Sequence, residues 1–337
     1  AYKAAAPLLA LADGAKTRTE PSAGQVRAMM GEIELREGHV DEARDLLKSA
    51  SQGDKAGGVL ATLARIERFD GQLPAAIGHL KEALAAPDVS HDVALRGEIQ
   101  LMLGDIAVEQ GNPTGARASY TDALKELARA RAQGEPEDRA RAERVLSRVL
   151  DRFGAAQPAH KALERAYDNA PRDKQQVSAT LGQMVGRALV HSDLPNARDG
   201  LRRALGADLE QDDIVYLALW VRLLERQLNV QPDGTAEKVF SSILDDGRWI
   251  GRLSAFGGGR IKAEELIASA KTPAQKTEAL FYAAMDKRVA GDQRGAEATF
   301  RQVLKTGGID LMEVALTRDI LSGGRAPVGP LPEVGLP

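Results

Sequence analysis

The chain of 337 residues carries 45 Lys and Arg against 48 Asp and Glu, a formal net charge of −3, and no cysteine. This balance leaves no basic excess that would attract nucleic acid or anionic lipid, and the absence of cysteine excludes disulfides and thiolate chemistry. No apolar run reaches the ~20 residues that a membrane helix needs. With 43% hydrophobic but only 4% aromatic residues, the composition favours Ala- and Leu-rich helices over sheets.

The leading segment, residues 1–23, holds one short apolar stretch, which Pro7 interrupts. The stretch is too short to cross a bilayer. We expect a partial leading helix followed by a loop.

One spacing of residues recurs along the chain: Gly, four residues, Ala, three residues, Leu or an aromatic residue, two residues and Ala. A period of this kind marks stacked units that cannot bury their apolar faces alone. The segment 24–205 is therefore predicted to be a run of repeats. Four copies and two looser ones begin, in order, at Gly38, Gly71, Gly111, Gly154, Ser192 and Gly291.

Each copy predicts a hairpin of two helices. The opening Gly can adopt the left-handed conformation that ends the front helix. A small residue in the middle of the front helix faces the Ala after the turn, so the two helices can approach closely. These small residues are Gly31, Ala64, Gly104 and Ser147, and the large residues expected to fill the gap to the next unit are Leu47, Leu80, Tyr120 and Leu163.

Residues 206–275 fit the spacing less well and are predicted to form a divergent helical hairpin and a Gly-rich connector. Asp212 and Asp213 are expected to cap a helix that runs to Leu228. After a turn and a second helix, residues 248–260 are expected to be the connector, followed by one helix from Ile261 to Ala270.

Residues 276–321 are predicted to form a terminal hairpin and a capping helix over 311–321. A terminal unit needs such a cap because its apolar face is otherwise exposed. Residues 322–337 contain four prolines and show no period. We therefore expect an extended or disordered Pro- and Gly-rich tail.

The hairpin residues resemble the tetratricopeptide repeat family, whose 34-residue unit is a helix–turn–helix. The resemblance covers residues 24–205 and 274–307. It implies an all-α fold, a right-handed superhelical solenoid of about six to seven hairpins with a C-terminal capping helix. Successive turns are 33, 40, 43 and 38 residues apart, and the first four copies lack the aromatic residue usual early in the front helix. Longer helices or loops between units are therefore expected.

Nothing in the sequence resembles a reaction centre. No two of the five histidines have the i, i+4 spacing of a metal site, so we expect them to face solvent. The acidic run from Asp208 lacks the Gly and the closing acid of a calcium loop, and a helix cap explains it better. Gly257–Gly259 lack the Lys-Ser or Lys-Thr of a phosphate loop, and a flexible joint explains them better. We expect no catalytic residue, no cofactor, no metal and no enzyme activity.

A set of arginines forms the first candidate site for a partner. If the repeat register is right, they lie along the groove, where guanidinium groups can grip the carboxylates of an acidic peptide or a chain terminus. The alternative is a solvated basic face, with Glu143 and Asp151 nearby. The candidate residues are Arg65, Arg68, Arg141, Arg144, Arg148 and Arg152.

Large apolar side chains in the later units form a second candidate contact set, because aromatic anchors can dominate an interface. The set is Trp220, Phe281, Tyr282 and Met285. The alternative is that residues with helical spacing belong to the core.

The leading hypothesis is a non-enzymatic scaffold or adaptor that recruits or assembles partner proteins in a bacterial multiprotein complex through the groove of a helical repeat. The partner would be another protein or a peptide, with an acidic segment as a candidate. Two alternatives stay open: a cell-envelope assembly factor or lipoprotein, and the sensor arm of a larger regulatory protein. The periplasm or cell envelope is favoured over the cytoplasm, and self-association is left open.

Overall fold

The computed structural model describes residues 22–53, 56–130, 135–323 and 327–333. Over these residues the chain forms seventeen helices and no β-strand, which confirms the all-α class. The predicted leading helix and loop over 1–23 lie almost wholly outside the described residues, which begin at Ser22.

The chain divides into two compact units. Unit 1 comprises Ala1–Ala132, Gly307–Asp310 and Pro332–Pro337, and unit 2 comprises Gln133–Thr306 and Leu311–Leu331. The boundary between residues 132 and 133 falls inside the segment 24–205 that the spacing predicts as one run of repeats. The described helices of unit 1 are α1 (Ala23–Glu37), α2 (Val40–Gly53), α3 (Gly57–Phe69), α4 (Leu73–Ala85), α5 (Val93–Glu109) and α6 (Pro113–Ala130).

Unit 2 holds the remaining helices of the described chain. They are α7 (Pro136–Arg152), α8 (Ala156–Asn169), α9 (Lys174–His191), α10 (Leu194–Gly206), α11 (Gln211–Gln227), α12 (Thr235–Ser241), α13 (Trp249–Gly257), α14 (Ala263–Ser269), α15 (Pro273–Val289), α16 (Gln293–Val303) and α17 (Met312–Leu321).

Consecutive helices pack as hairpins wherever the repeated spacing predicts one: α1 with α2, α3 with α4, α5 with α6, α7 with α8, α9 with α10, and α15 with α16. Each hairpin turns at a residue with a positive φ angle, which glycine adopts without steric cost. These predicted turns are confirmed, at Gly38, Gly71, Gly111, Gly154, Ser192 and Gly291.

The small and large residues of the spacing meet inside each hairpin. The Ala that follows each turn is at most 2% exposed, as are Leu47, Tyr120 and the other large residues of the pattern. A Cβ added at Gly31 would lie 2.8 Å from Cγ of Leu47, and one added at Gly104 would overlap the ring of Tyr120. The close approach of paired helices therefore depends on these small residues.

The predicted cap of α11 is wrong. Glu210 occupies the N-cap position and makes no side-chain cap bond, while Asp212 and Asp213 lie in the first helical turn. Their carboxylates are still favourable there, because the N-terminal end of a helix carries partial positive charge.

The predicted Gly-rich connector is also wrong in part, because Trp249–Gly257 forms helix α13. Its apolar residues, three apart, include the buried Ile250, Leu253 and Phe256, and α13 packs against α11, α12 and α14. A Cβ at Gly257 would lie 2.5 Å from Cζ of Phe240. The glycine thus allows close packing and is not a flexible joint.

Candidate functional site

The first helices of the hairpins in unit 2 pack against one another in order, α7 with α9, α9 with α11, and α11 with α15. Helix α17, which the sequence predicts as a capping helix, packs against α9, α15 and α16. The cap thus covers the terminal hairpin and also a helix of an earlier one. We call the surface of α7, α9 and α15 that contacts α17 and residues 327–328 the first-helix face.

Two glycines of α9 form the seat for α17. A Cβ at Gly182 would lie 3.3 Å from Cε of Met312, and a Cβ at Gly186 would lie 3.2 Å from Cδ2 of Leu316. Because these glycines are one helical turn apart, they lie on the same side of α9. They leave room for two apolar side chains with the same spacing on the opposing helix.

Polar groups are buried where α17 meets α15. The hydroxyl of Tyr282 donates a hydrogen bond to Oε1 of Glu313 at 3.0 Å, and both residues are at most 3% exposed. Burial raises the pKa of the Glu313 carboxyl above its ordinary value, and the hydrogen bonds that it accepts from its own backbone N–H and from Tyr282 oppose this only in part.

A second buried carboxylate lies on α15, one helical turn before Tyr282. Oε2 of Glu278 accepts hydrogen bonds from the hydroxyl of Tyr216 at 2.9 Å and from Nε1 of Trp249 at 2.6 Å. Burial and the carboxylates of Glu278 and Glu313 raise the pKa of the Tyr216 hydroxyl well above its usual range. These bonds tie α11 and α13 to α15, so they position the helix on which α17 lies.

Charged groups join α17 to α7. Nη1 of Arg152 donates a hydrogen bond to Oδ1 of Asp319 at 3.3 Å, and the side chains are 12% and 30% exposed. Beyond the helix, the backbone N–H of Val328 donates to the carbonyl oxygen of Arg152 at 3.1 Å, and Pro327 lies against Gly154. Residues 327–333 contain no helix, and these contacts attach Pro327 and Val328 to the C-terminal end of α7.

The predicted arginines of α7 share this part of unit 2. Nη1 of Arg144 donates to Oγ1 of Thr180 on α9 at 3.3 Å, Arg148 is exposed, and Arg141 is half-buried. Each has interactions within the chain, so the stripe also serves the packing of unit 2.

The other two candidate arginines belong to unit 1 and pair with acids there. Nη1 of Arg65 lies 2.6 Å from Oδ1 of Asp310. Nη2 of Arg68, whose side chain is only 9% exposed, lies 2.5 Å from Oε1 of Glu109 on α5. The structure therefore does not bring all six arginines into one site within a unit.

The second candidate contact set is buried. Trp220 is 3% exposed, and Phe281, Tyr282 and Met285 are fully buried. Helix α11, which carries Trp220, packs against α9, α10, α12, α13 and α15, so its middle turns are buried. A partner does not reach these side chains in this conformation, and the core alternative accounts for their positions.

Titratable clusters do not suggest another site in the described parts of the chain, where no group of three or more His, Asp or Glu side chains is placed to hold a metal ion. Two histidines lie beside a glutamate, with Nδ1 of His39 2.7 Å from Glu34 and Nδ1 of His79 2.8 Å from Glu67. No described helix is long and apolar enough to span a membrane.

Sequence reasoning missed the two glycines that seat α17. The sequence shows two small residues one turn apart in α9, but the same spacing also occurs where a helix contacts its own hairpin partner, so it does not identify the seat.

Sequence reasoning also missed Arg260, whose Nη2 donates to the carbonyl oxygen of Phe240 at 3.2 Å and to that of Ile243 at 3.5 Å. The guanidinium thereby satisfies carbonyls at the C-terminal end of α12.

No model of a protein family matches this sequence, and no curated protein is significantly similar to it.

Proposed function

We propose that this protein is a non-enzymatic scaffold or adaptor whose hairpins are tetratricopeptide-type repeats, and that it recruits or assembles partner proteins in a bacterial multiprotein complex. The packing of the hairpins supports the repeat assignment, since positive-φ turns and buried Ala and Leu residues recur at the predicted positions. Stacked hairpins present a preformed surface, which lowers the ordering cost of binding.

The binding site in this proposal is the first-helix face of unit 2, and its ligand is a helical segment of another protein with at least one carboxylate. One observation carries the proposal: this face already accepts a helix, α17 of the same chain, with Asp319 of that helix bound to Arg152. Helix-in-groove binding uses apolar anchors at helical spacing, and the glycine seat on α9 suits such anchors.

Affinity capture with charge-reversal variants tests the proposal. The full chain would be used as bait in the organism that encodes it, beside the variant Arg141→Glu, Arg144→Glu, Arg148→Glu. A control with the same charge change, Arg202→Glu, Arg248→Glu, Arg301→Glu, alters arginines that are 62% or more exposed and lie outside α7, α9 and α15. Circular dichroism confirms that each bait is helical.

The unchanged chain and the control should capture the same proteins, and the α7 variant should retain at least one of them tenfold less. Equal recovery with all three baits would overturn the proposed site. A specific activity on a small molecule, with no captured protein, would overturn the proposed function.

A further inference from the structure

Helix α17 is held less completely than the other long helices of unit 2. Of its ten residues, two apolar ones, Val314 and Leu316, are buried, and Met312, Ile320 and Leu321 pack partly buried against the core, whereas α11 buries eight apolar residues among its 17. Apolar burial is the dominant favourable term in helix docking. Helix α17 therefore contributes few of the buried apolar residues in the core of unit 2.

Buried polar groups weaken this attachment further. Oγ1 of Thr317 is buried and has no hydrogen-bond partner among the described residues. Glu313 is 3% exposed, and the Tyr282 side chain that it contacts offers a neutral hydroxyl rather than a cation. Both groups lose hydration when α17 docks, and such losses disfavour the docked state.

The chain can also turn at the end of the helix. Gly323 lies just beyond α17 with φ 64°, a left-handed conformation that glycine leaves or adopts at little cost. A conformationally permissive residue thus stands at the C-terminal end of the helix.

We propose that α17 is an internal competitor for the first-helix face, and that a partner helix binds there by displacing it. This inference rests on the proposed function and adds its regulation. The partner helix would repeat the pattern of Met312, Leu316 and Asp319: two apolar residues one turn apart over Gly182 and Gly186, and a carboxylate three residues later that meets Arg152.

The test uses the full chain and a labelled peptide with the sequence of residues 311–331 as the probe. In the unchanged chain the face is occupied, so the peptide binds weakly. In the opened chain, Leu316→Ala with Asp319→Ala, the internal helix loses an apolar anchor and its contact with Arg152. Fluorescence anisotropy should show the peptide binding the opened chain at least tenfold more tightly.

A charge swap tests the register. When Arg152→Asp is added to the opened chain, the peptide with Asp319 should lose at least tenfold in affinity, and the peptide that carries Asp319→Lys should regain it. The matched control for the opened chain is the full chain with Ala315→Ser, a substitution at an exposed position of α17. This control should bind the peptide as weakly as the unchanged chain does.

Hydrogen exchange gives a readout that needs no ligand. In the unchanged chain the amides of α17 should exchange at least tenfold faster than those of α15. Exchange of α17 as slow as that of α15 would overturn the proposal, as would equal affinity of the peptide for the unchanged and opened chains. Because no outside protein enters these measurements, their failure is distinguishable from a failure of partner capture.

Discussion

Tyr120 of α6 lies directly over Gly104 of α5, so closely that a Cβ at residue 104 would overlap the tyrosine ring. The Tyr120 hydroxyl donates to Oδ1 of Asp105 at 2.7 Å, which holds the ring in place. The small residue, the large residue and the polar anchor come from the two helices of one hairpin. The relationship shows how a local spacing in the sequence becomes a packed unit.

The substitution Gly104→Ala should destabilise unit 1 by about 1–3 kcal/mol, because the added methyl group forces Tyr120 or the helix to move. The matched control is Gly78→Ala, where a Cβ meets nothing within 4 Å. That change should be neutral or stabilise by up to about 1 kcal/mol, because alanine has the higher helix propensity. Urea unfolding followed by circular dichroism measures both; equal losses would contradict the packing described for Gly104.

The hairpins could be predicted from the sequence because their determinants are local. The turn at Gly111 and the buried residues Ala116 and Tyr120 lie within ten positions of one another, and their spacing alone indicates which side chains face inward. Helix α13 was missed because Gly257–Gly259 was interpreted as a flexible break, although Leu253 and Phe256 already had helical spacing.

The second prediction concerns the buried ion pair between Arg198 and Glu225. Glu225 is 1% exposed, and its Oε1 accepts from Nε and Nη2 of Arg198 at 2.9 and 2.6 Å. Arg198→Ala leaves a buried carboxylate without its main partner and should destabilise unit 2 by about 3–5 kcal/mol. Both tryptophans of the chain, Trp220 and Trp249, lie in unit 2, so tryptophan fluorescence during urea unfolding reports on this unit.

The control for Arg198 is Arg301→Ala, which removes an exposed i, i+4 pair with Glu297. Its expected effect is below about 0.5 kcal/mol. A loss of similar size in both variants would show that the Arg198–Glu225 pair does not have the buried character described above.

The third prediction concerns pH. Burial raises the pKa of the Glu313 carboxyl in the folded chain above the unfolded value, so the folded state keeps a proton that the unfolded state releases. The contribution of Glu313 to stability is therefore fully present below the ordinary glutamate pKa and is lost as pH rises through the raised folded value. The variant Glu313→Gln cannot ionise, and its amide oxygen can still accept from Tyr282.

Unfolding free energies of the unchanged chain and of Glu313→Gln should therefore diverge as pH rises from 4 to 8, with the variant losing less stability. Measurement by tryptophan fluorescence restricts the comparison to unit 2. Curves that stay parallel across this range would contradict the raised pKa.

The candidate site was less predictable than the fold. The sequence placed Arg152 on a basic stripe of α7, but its contact with Asp319 joins residues far apart in the chain, and helical spacing carries no information about such a pair. Trp220 was proposed as a contact residue because aromatic anchors can dominate an interface, with a core position as the alternative, and the sequence does not show which helices pack around α11. The seat at Gly182 and Gly186 likewise became recognisable only with α17 in place.

The central claim is that partners bind the first-helix face of unit 2, and hydrogen exchange on the full chain, free and bound to a captured partner, tests it most directly. The account predicts that the partner takes the place of α17, so on binding the amides of α17 exchange at least tenfold faster, while α7 and α9 stay protected and the second helices α8 and α10 do not change. Protection confined to α8 and α10, with α17 unchanged, would contradict it.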